Sequence, residues 1–243
     1  MMNNLLILTK RNLKEIIRDP LSIIFCLGFP IVMLVFMQLI MSGMEFTPEN
    51  FQIENFAIGI CLFGFTFAML FTATTIAGDK NTEFINRLMI APIKKSTYLL
   101  SFVLAILPIT ICQTIIFFAT SLLFGFTFSL NLILAIIALI PSAIFYITLG
   151  ILFGTLAKTE KHAGPLCSII ISVSMILGGV FMPTANMGVF TTIVNALPFI
   201  HTLEIATSVM AGNFLQSLIH LAWTLGYTLL VWGIIILLNK KKQ

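Results

Sequence analysis

Residues that can do acid–base, nucleophilic or metal chemistry are few in this sequence and are widely spaced. The three histidines are His162, His201 and His220, and the four cysteines lie far apart with no CxxC pair. Neither set has the close spacing of a metal site. The sequence also has no GxxxxGK[ST], HExxH or GxSxG motif, which argues against a phosphate-binding loop, a zinc protease or a serine hydrolase. We therefore predict that the chain is not an enzyme and that it binds no cofactor or metal itself.

Charged residues are instead concentrated in "AGDKNTEFINRLMIAPIKKSTYLL", residues 77–100. We expect Gly78-Asp79 to break the preceding helix and to cap a short new one. The new helix is amphipathic: its apolar face holds Phe84, Ile85, Leu88 and Met89, its polar face pairs Glu83 with Arg87, and Ala91-Pro92 ends it. Two interpretations fit this pattern equally well. Either the apolar face rests on a bilayer, or it docks into a groove of a soluble partner.

A second amphipathic segment opens the chain, in residues 1–20. Its apolar face carries Leu6, Leu13 and Ile17, and its cations are Lys10, Arg11, Lys14 and Arg18. A basic amphipathic helix buries its apolar stripe among lipid headgroups and keeps its cations near the phosphates. We therefore predict an interfacial helix that contacts membrane lipid and ends at Pro20.

The elements that carry these segments are long apolar runs. Hydrophobic residues make up 59% of the 243 residues and charged residues only 9%, which is typical of a membrane protein. The runs lie near 21–42, 53–77, 97–125, 129–157, 163–182 and 215–238. They are continuous rather than alternating, and each is long enough to cross a bilayer as a helix. The sequence thus predicts an all-α integral membrane protein with six transmembrane helices in a single domain, 1–243.

The distribution of basic residues predicts the orientation. All thirteen Lys and Arg lie before the first run, between the second and third, between the fourth and fifth, or after the sixth. Lysine and arginine near span ends stay on the cytoplasmic side, so we expect both termini and the loop at 78–96 to be cytoplasmic. The net charge of +4 is then explained by anionic lipid, and no nucleic-acid partner is needed.

The interiors of the runs contain neutral polar residues and no acids or bases. Among them, Thr66, Thr74, Ser168 and Ser172 are candidates for lining a substrate pathway. The alternative is that such hydroxyls bond to neighbouring helices or to their own backbone. Gly150 and Gly154 form a GxxxG motif, which is explained equally by packing within one bundle and by dimerisation.

A further segment, residues 183–214, contains two apolar pieces divided by Pro198. Each piece is too short to cross a membrane, so we expect a re-entrant or interfacial helical hairpin on the outer side. His201 and Glu204 lie one turn apart and could form a polar pair that acts as an outer gate. The alternative is that both simply face water or headgroups.

Three stretches together resemble the permease subunits of ABC-2 type transporters, over nearly the whole chain. They are "TKRNLKEIIRDPLSIIFCLGFPIVMLV", "AGDKNTEFINRLMIAPIKKSTYLLS" and "NALPFIHTLEIATSVMAG". The second is similar to the family pattern E.GT.E.L..TP, which contains its coupling helix. Thr82, Glu83, Leu88 and Pro92 match that pattern. Ala91 stands where Thr is common, and residues 79–81 replace an acidic run that usually ends in Gly.

The resemblance implies that residues 78–96 form a coupling loop that docks on a separate ABC ATPase subunit. The coupling residues would be Thr82, Glu83, Phe84, Arg87, Leu88 and Pro92. ATP and Mg²⁺ would be bound by that partner, and two permease subunits, alike or different, would form the transporter. Similar proteins export drugs, antibiotics, peptides, lipids or glycans. We expect a bacterial plasma membrane as the location.

Two other classes of protein remain as alternatives. An ion-coupled secondary transporter would act without an ATPase, but such carriers commonly place an ionisable residue at membrane depth. An intramembrane enzyme would need a nucleophile and a base that no run contains together.

Overall fold

A computed structural model describes residues 2–80, 82–90, 93–182, 188 and 190–240. Within these residues every regular element is helical, which confirms the all-α prediction. The α-helices are α1 (Met2–Arg18), α2 (Pro20–Ile23), α3 (Phe29–Met41), α4 (Ile53–Asp79), α5 (Glu83–Ile90), α6 (Lys95–Leu122), α7 (Leu130–Ala138), α8 (Ile140–Leu156), α9 (Glu160–Leu177), α10 (Phe190–Ala196), α11 (Pro198–Met210) and α12 (Phe214–Lys240). A π-helical turn, Ile24–Gly28, joins α2 to α3, and a 3₁₀ turn, Glu49–Phe51, precedes α4.

Five helical segments of the described chain are long and apolar enough to cross a membrane. They are Pro20–Met41, Ile53–Asp79, Lys95–Leu122, Leu130–Leu156 and Phe214–Lys240. The predicted run at 163–182 is shorter as a helix, because α9 ends at Leu177 and Gly179 follows in a left-handed conformation with φ of 80°. Its first turn also carries Glu160 and Lys161. The sixth span therefore stays a prediction.

Helix α4 lies at the centre of the fold. It packs against α8, α9, α6 and α3, and 89% of its most apolar window is buried, compared with 22% for Pro20–Met41 and for Phe214–Lys240. Its buried aromatic residues include Phe56 and Phe65, which are 0% and 1% exposed. Because α4 contacts so many neighbours, a displacement of α4 must be accommodated by most of the bundle.

The GxxxG motif packs α8 against α4 within the chain. A Cβ atom on Gly150 would lie 2.4 Å from the backbone oxygen of Met69, and one on Gly154 would lie 2.9 Å from the backbone oxygen of Ala73. Only glycine allows two helices to approach this closely. Of the two explanations for the motif, intrachain packing is therefore the one seen in the structure.

Helix α1 is amphipathic in a different way from the prediction. Leu8, Asn12 and Ile16, spaced by four, are buried, and α1 packs against α6. Leu6 and Ile17 from the predicted apolar face are 62% and 53% exposed. The helix therefore has an internal face for the bundle and an exposed apolar face, and its position at a membrane interface remains a prediction.

Pro20 ends α1 as expected, and it also begins the next helix. The Asp19 carboxylate accepts hydrogen bonds from the backbone N–H groups of Leu21 and Ser22, at 3.2 and 3.3 Å. An N-cap aspartate followed by proline is a favourable helix start. The corner between α1 and the first span is thus fixed by local sequence.

Helices α10 and α11 bend by 77° at the break before Pro198. The structure thus has two short helices within the segment for which the sequence predicts a helical hairpin. Residues 183–187 and 189 of that predicted segment lie outside the described residues. Its re-entrant or interfacial placement stays a prediction.

Candidate functional site

A charged cluster lies at the C-terminal end of α4, and Asp79 is its centre. The break predicted at Gly78-Asp79 lies at the end of α4, whose last helical residue is Asp79. The Asp79 side chain is 3% exposed. Its carboxylate accepts two hydrogen bonds from the Arg11 guanidinium, at 2.6 and 2.7 Å, and one from the Tyr98 hydroxyl at 2.6 Å. A buried carboxylate with a bidentate arginine is a strong, directional contact between distant segments.

The sequence groups Arg11 with the cations of the predicted interfacial helix, but the structure gives it a different environment. It turns towards the bundle, where its guanidinium carbon lies 4.2 Å from the centre of the Phe84 ring. It also contacts Glu15, at 3.0 Å. Burial disfavours the charged guanidinium, but the hydrogen bond and negative charge of Asp79 outweigh this and raise the pKa of Arg11. The other three cations, Lys10, Lys14 and Arg18, are exposed.

The predicted short helix is present as α5, but it is placed differently from either interpretation. Phe84, Ile85 and Leu88 pack against the core of the chain itself. The Thr82 hydroxyl donates to the Asp79 carbonyl at 2.7 Å and ties the start of α5 to the end of α4. The apolar face of α5 is therefore used within the bundle.

Among the side chains that the structure describes, Glu83 and Ile90 of α5 and Thr82 just before it face outward. All three are exposed, and Ile90 is 86% exposed. Sequence reasoning overlooked Ile90, although an apolar residue that falls outside the stripe of an amphipathic helix is a usable signal. The Arg87 side chain and Pro92 lie outside the described residues, so the predicted pairing of Glu83 with Arg87 stays a prediction.

Lys80 links α4 to the end of α8. Its ammonium donates to the carbonyl oxygens of Thr155 and Ala157, at 2.7 and 2.6 Å. These carbonyls belong to the C-terminal end of α8, where a cation is favoured by the helix dipole. From sequence, Lys80 was only one of several cytoplasmic charges.

We call Arg11, Asp79, Lys80, Phe84 and Tyr98 the charged hub. Its contacts connect α1, α4, α5, α6 and α8. Tyr98 also packs on Phe84, with ring centres 6.2 Å apart. The hub has no nucleophile and base pair aimed at a substrate position. The hub can act mechanically, because a displacement of α5 must also move the residues that Phe84 and Thr82 contact.

The candidate pathway residues are not brought together. Thr66 is buried, and its hydroxyl donates to the Phe63 carbonyl. Thr74 bonds similarly within its own helix. Ser168 and Ser172 are exposed on α9, and their hydroxyls donate to the carbonyls one turn earlier. Lining a pathway remains a prediction for all four.

At the opposite end of α4, near Ile53, the predicted pairing of His201 with Glu204 is replaced by other contacts. The Nδ1 atoms of His201 and His220 are 2.8 Å apart, and the His201 ring stacks on Trp223 with centres 5.2 Å apart. Glu204 accepts from the Thr207 hydroxyl at 3.1 Å. The two histidines are nineteen positions apart in sequence, so only the packing of α11 on α12 brings them together.

No group of three or more His, Cys, Asp or Glu residues in the described part of the chain is arranged to hold a metal ion.

Several apolar helices of membrane-crossing length, with a charged hub at one end, define a polytopic membrane protein. The family model for ABC-2 type transporters matches residues 3–211, so the chain belongs to this family and is a transporter permease. It is also 27% identical, over 173 residues, to the protein named ABC transporter G family member 23 from Dictyostelium discoideum. That match covers 65% of this chain and 24% of the relative, so the chain spans about a quarter of that relative's length.

Proposed function

We propose that this permease exports an amphipathic or hydrophobic substrate, such as a drug, antibiotic, peptide or lipid, with energy from ATP. A separate nucleotide-binding subunit would bind ATP and Mg²⁺ and hydrolyse the ATP. Two permease subunits, alike or different, would complete the transporter. Membership of the family and the position of α5 beside the charged hub support this proposal.

The charged hub is the observation that carries the mechanism. The exposed residues Thr82, Glu83 and Ile90 offer a contact for the ATPase subunit. A push on α5 would reach α1 through the contact of Phe84 with Arg11, and would reach α4 through the bond of Thr82 to Asp79. Since α4 is the central helix, the movement would be passed to its packed neighbours.

The proposed topology has six spans, with α9 as the fifth and both termini in the cytoplasm. Support comes from the Lys and Arg residues, which all fall in segments that this topology places inside. The α10–α11 pair would then lie on the outer side as a re-entrant hairpin. A bacterial plasma membrane is the proposed location.

Copurification tests the proposed partnership. The tagged chain would be isolated in mild detergent from its native host, alongside Glu83→Lys and Ile90→Asp. Both changes alter exposed side chains of α5, so the fold should persist. Glu54→Lys is the matched control, because Glu54 is exposed at the opposite end of α4.

We expect an ATPase subunit with the wild type and with Glu54→Lys, and its loss with the two α5 variants. Equal recovery with all four chains would show that α5 is not the docking surface. If no ATPase is recovered and an uncoupler abolishes transport, the ion-coupled secondary transporter becomes the better explanation.

A further inference from the structure

A cleft of about 840 Å³ lies beside the charged hub, between α1, the start of the first span, α4, α5 and the first turns of α9. This volume is in the range of sites that hold drug-sized molecules. The cleft has an apolar part and a charged part, and both are built from side chains of several elements. Such a lining selects for a ligand with two chemically different ends.

The apolar part is formed largely by aromatic rings. Phe25 from the first span stacks on Phe67 of α4, with ring centres 6.1 Å apart and planes inclined by 28°. Phe71 and Leu70, also on α4, line the same wall. Rings and aliphatic groups of a ligand would gain hydrophobic and aromatic contacts here.

The charged part is short of positive charge. Among the described residues that line the cleft, Arg11 is the one with a positive formal charge, and Glu15, Asp19, Asp79 and Glu160 carry negative formal charges. Arg11 is already bonded to Asp79 and Glu15, and Asp19 is bonded to the start of α2. The Glu160 carboxylate extends over Gly78, where a Cβ atom would be 3.6 Å from its Oε2 atom.

Glu15 shows the electrostatic consequence. Burial raises the pKa of Glu15, Asp79 raises it further, and the nearby Arg11 only partly opposes them. Additional positive charge near Glu15 would therefore favour its ionised form. A cationic group in the cleft, which Glu15 and Glu160 both line, would supply that charge.

We propose that this cleft binds amphiphiles that have a cationic head and an apolar, preferably aromatic, body. The head would lie near Glu160 and Glu15, and the body would lie against Phe25, Phe67 and Phe71. Identification of this ligand as the exported substrate rests on the proposed function, but binding itself does not. One ligand class is thereby selected from the many amphiphiles that the family resemblance allows.

Two probes of nearly identical size and shape but opposite charge test the proposal: tetraphenylphosphonium and tetraphenylborate. The chain, purified with whatever subunits accompany it, would be placed in nanodiscs of uncharged phosphatidylcholine without ATP. Binding of each ion would be measured by equilibrium dialysis, with empty nanodiscs subtracted. We expect saturable binding of tetraphenylphosphonium and at least tenfold weaker binding of tetraphenylborate.

Variants locate the site. Glu160→Gln and Glu15→Gln should each weaken tetraphenylphosphonium binding by about tenfold, since each removes one charge contact in a partly screened cleft. Phe71→Ala should weaken it as well. Glu49→Gln is the control, because Glu49 lines a separate cleft at the Ile53 end of α4, and it should leave binding unchanged.

Equal binding of the two ions would overturn the proposal, as would unchanged affinity in both glutamate variants. Glu15 and Glu160 are exposed, so their variants should fold. Because the measurement uses no ATP, absence of an ATPase partner would contradict the proposed function without affecting this result. Conversely, absence of binding would contradict the cleft proposal and leave the ATPase partnership standing.

Discussion

The two ends of α4 are held by different kinds of contact. At the Asp79 end, formal charges are bonded across the fold: Arg11 to Asp79, and Lys80 to the carbonyls that end α8. At the Ile53 end, the described residues include neutral connections, from the Asn50 amide to the Gly179 carbonyl at 2.5 Å and between the two histidines. Charge-assisted hydrogen bonds are about twice as strong as neutral ones. The charge-assisted bonds at the Asp79 end should therefore hold α4 to its neighbours more firmly than the neutral bonds at the Ile53 end.

Helix packing shows the same contrast. Gly150 and Gly154 bring the backbone of α8 against the backbone of α4 towards the Asp79 end. Gly59, towards the other end, faces the Val180 side chain, with 2.8 Å between a Cβ atom and Cγ1. A side-chain end can shift, whereas a helix backbone can shift only together with its helix. Substitutions should therefore disturb the two ends of α4 to different extents.

The largest effect should come from Arg11→Met. It would leave Asp79 buried with Tyr98 as its remaining partner, and an unpaired buried charge costs about 3 kcal/mol or more of folding free energy. Asp79→Asn should cost less, about 1 kcal/mol, because the Arg11 side chain is 29% exposed and keeps Glu15. Thermal unfolding in detergent would measure both, with Lys14→Met as the exposed control on α1. Equal losses in Lys14→Met and Arg11→Met would contradict the role of the hub.

The second-largest loss of stability should come from Gly150→Ala. Its new methyl group would clash with the Met69 carbonyl, so α8 and α4 must separate, at a cost of about 1–3 kcal/mol. Gly59→Ala should cost less, since Val180 can rotate. Gly226→Ala on α12, which meets no atom within 4 Å, serves as the control in the same unfolding measurement. A larger loss of stability for Gly59→Ala than for Gly150→Ala would contradict the expectation that α4 is packed more tightly towards its Asp79 end.

His201→Phe should have a smaller effect, about 1 kcal/mol. The substitution keeps a ring to stack on Trp223 but removes the bond to His220. Labelling of a cysteine introduced at Asn213 would report loosening of the α11–α12 contact, with His162→Phe as the matched control. An unchanged labelling rate would show that packing alone holds these helices together.

Glu15→Gln should give the smallest effect, and one that depends on pH. The pKa of Glu15 in the folded chain is raised above the ordinary glutamate value near 4.5. Ionisation of Glu15 therefore lowers the free energy of unfolding as the pH rises above that value. The variant should be more stable than the wild type at pH 7, by well under 1 kcal/mol since the side chain is 44% exposed. Melting temperatures from pH 4 to 7.5 would show the difference vanishing towards acid. A constant difference would refute this explanation.

Much of the architecture follows from local sequence. Continuous apolar runs can satisfy their backbone in lipid only as helices, and Asp19-Pro20 fixes a corner through its own hydrogen bonds. Glu83 and Phe84 lie on the predicted short amphipathic helix for the same reason, whereas Thr82 lies just before it. These features depend on neighbours within a few residues, so composition and periodicity determine them.

Tertiary structure decided which partners the polar residues take. Arg11 and Asp79 are 68 positions apart, and nothing in the local sequence of either residue identifies the other as its partner. His201 and His220 are likewise distant in sequence. The apolar face of α5 could be assigned from the sequence either to lipid or to a partner. Each of these contacts depends on how helices pack across the bundle. The sequence determines where helices form, whereas packing determines which face of each helix is buried and what that face meets.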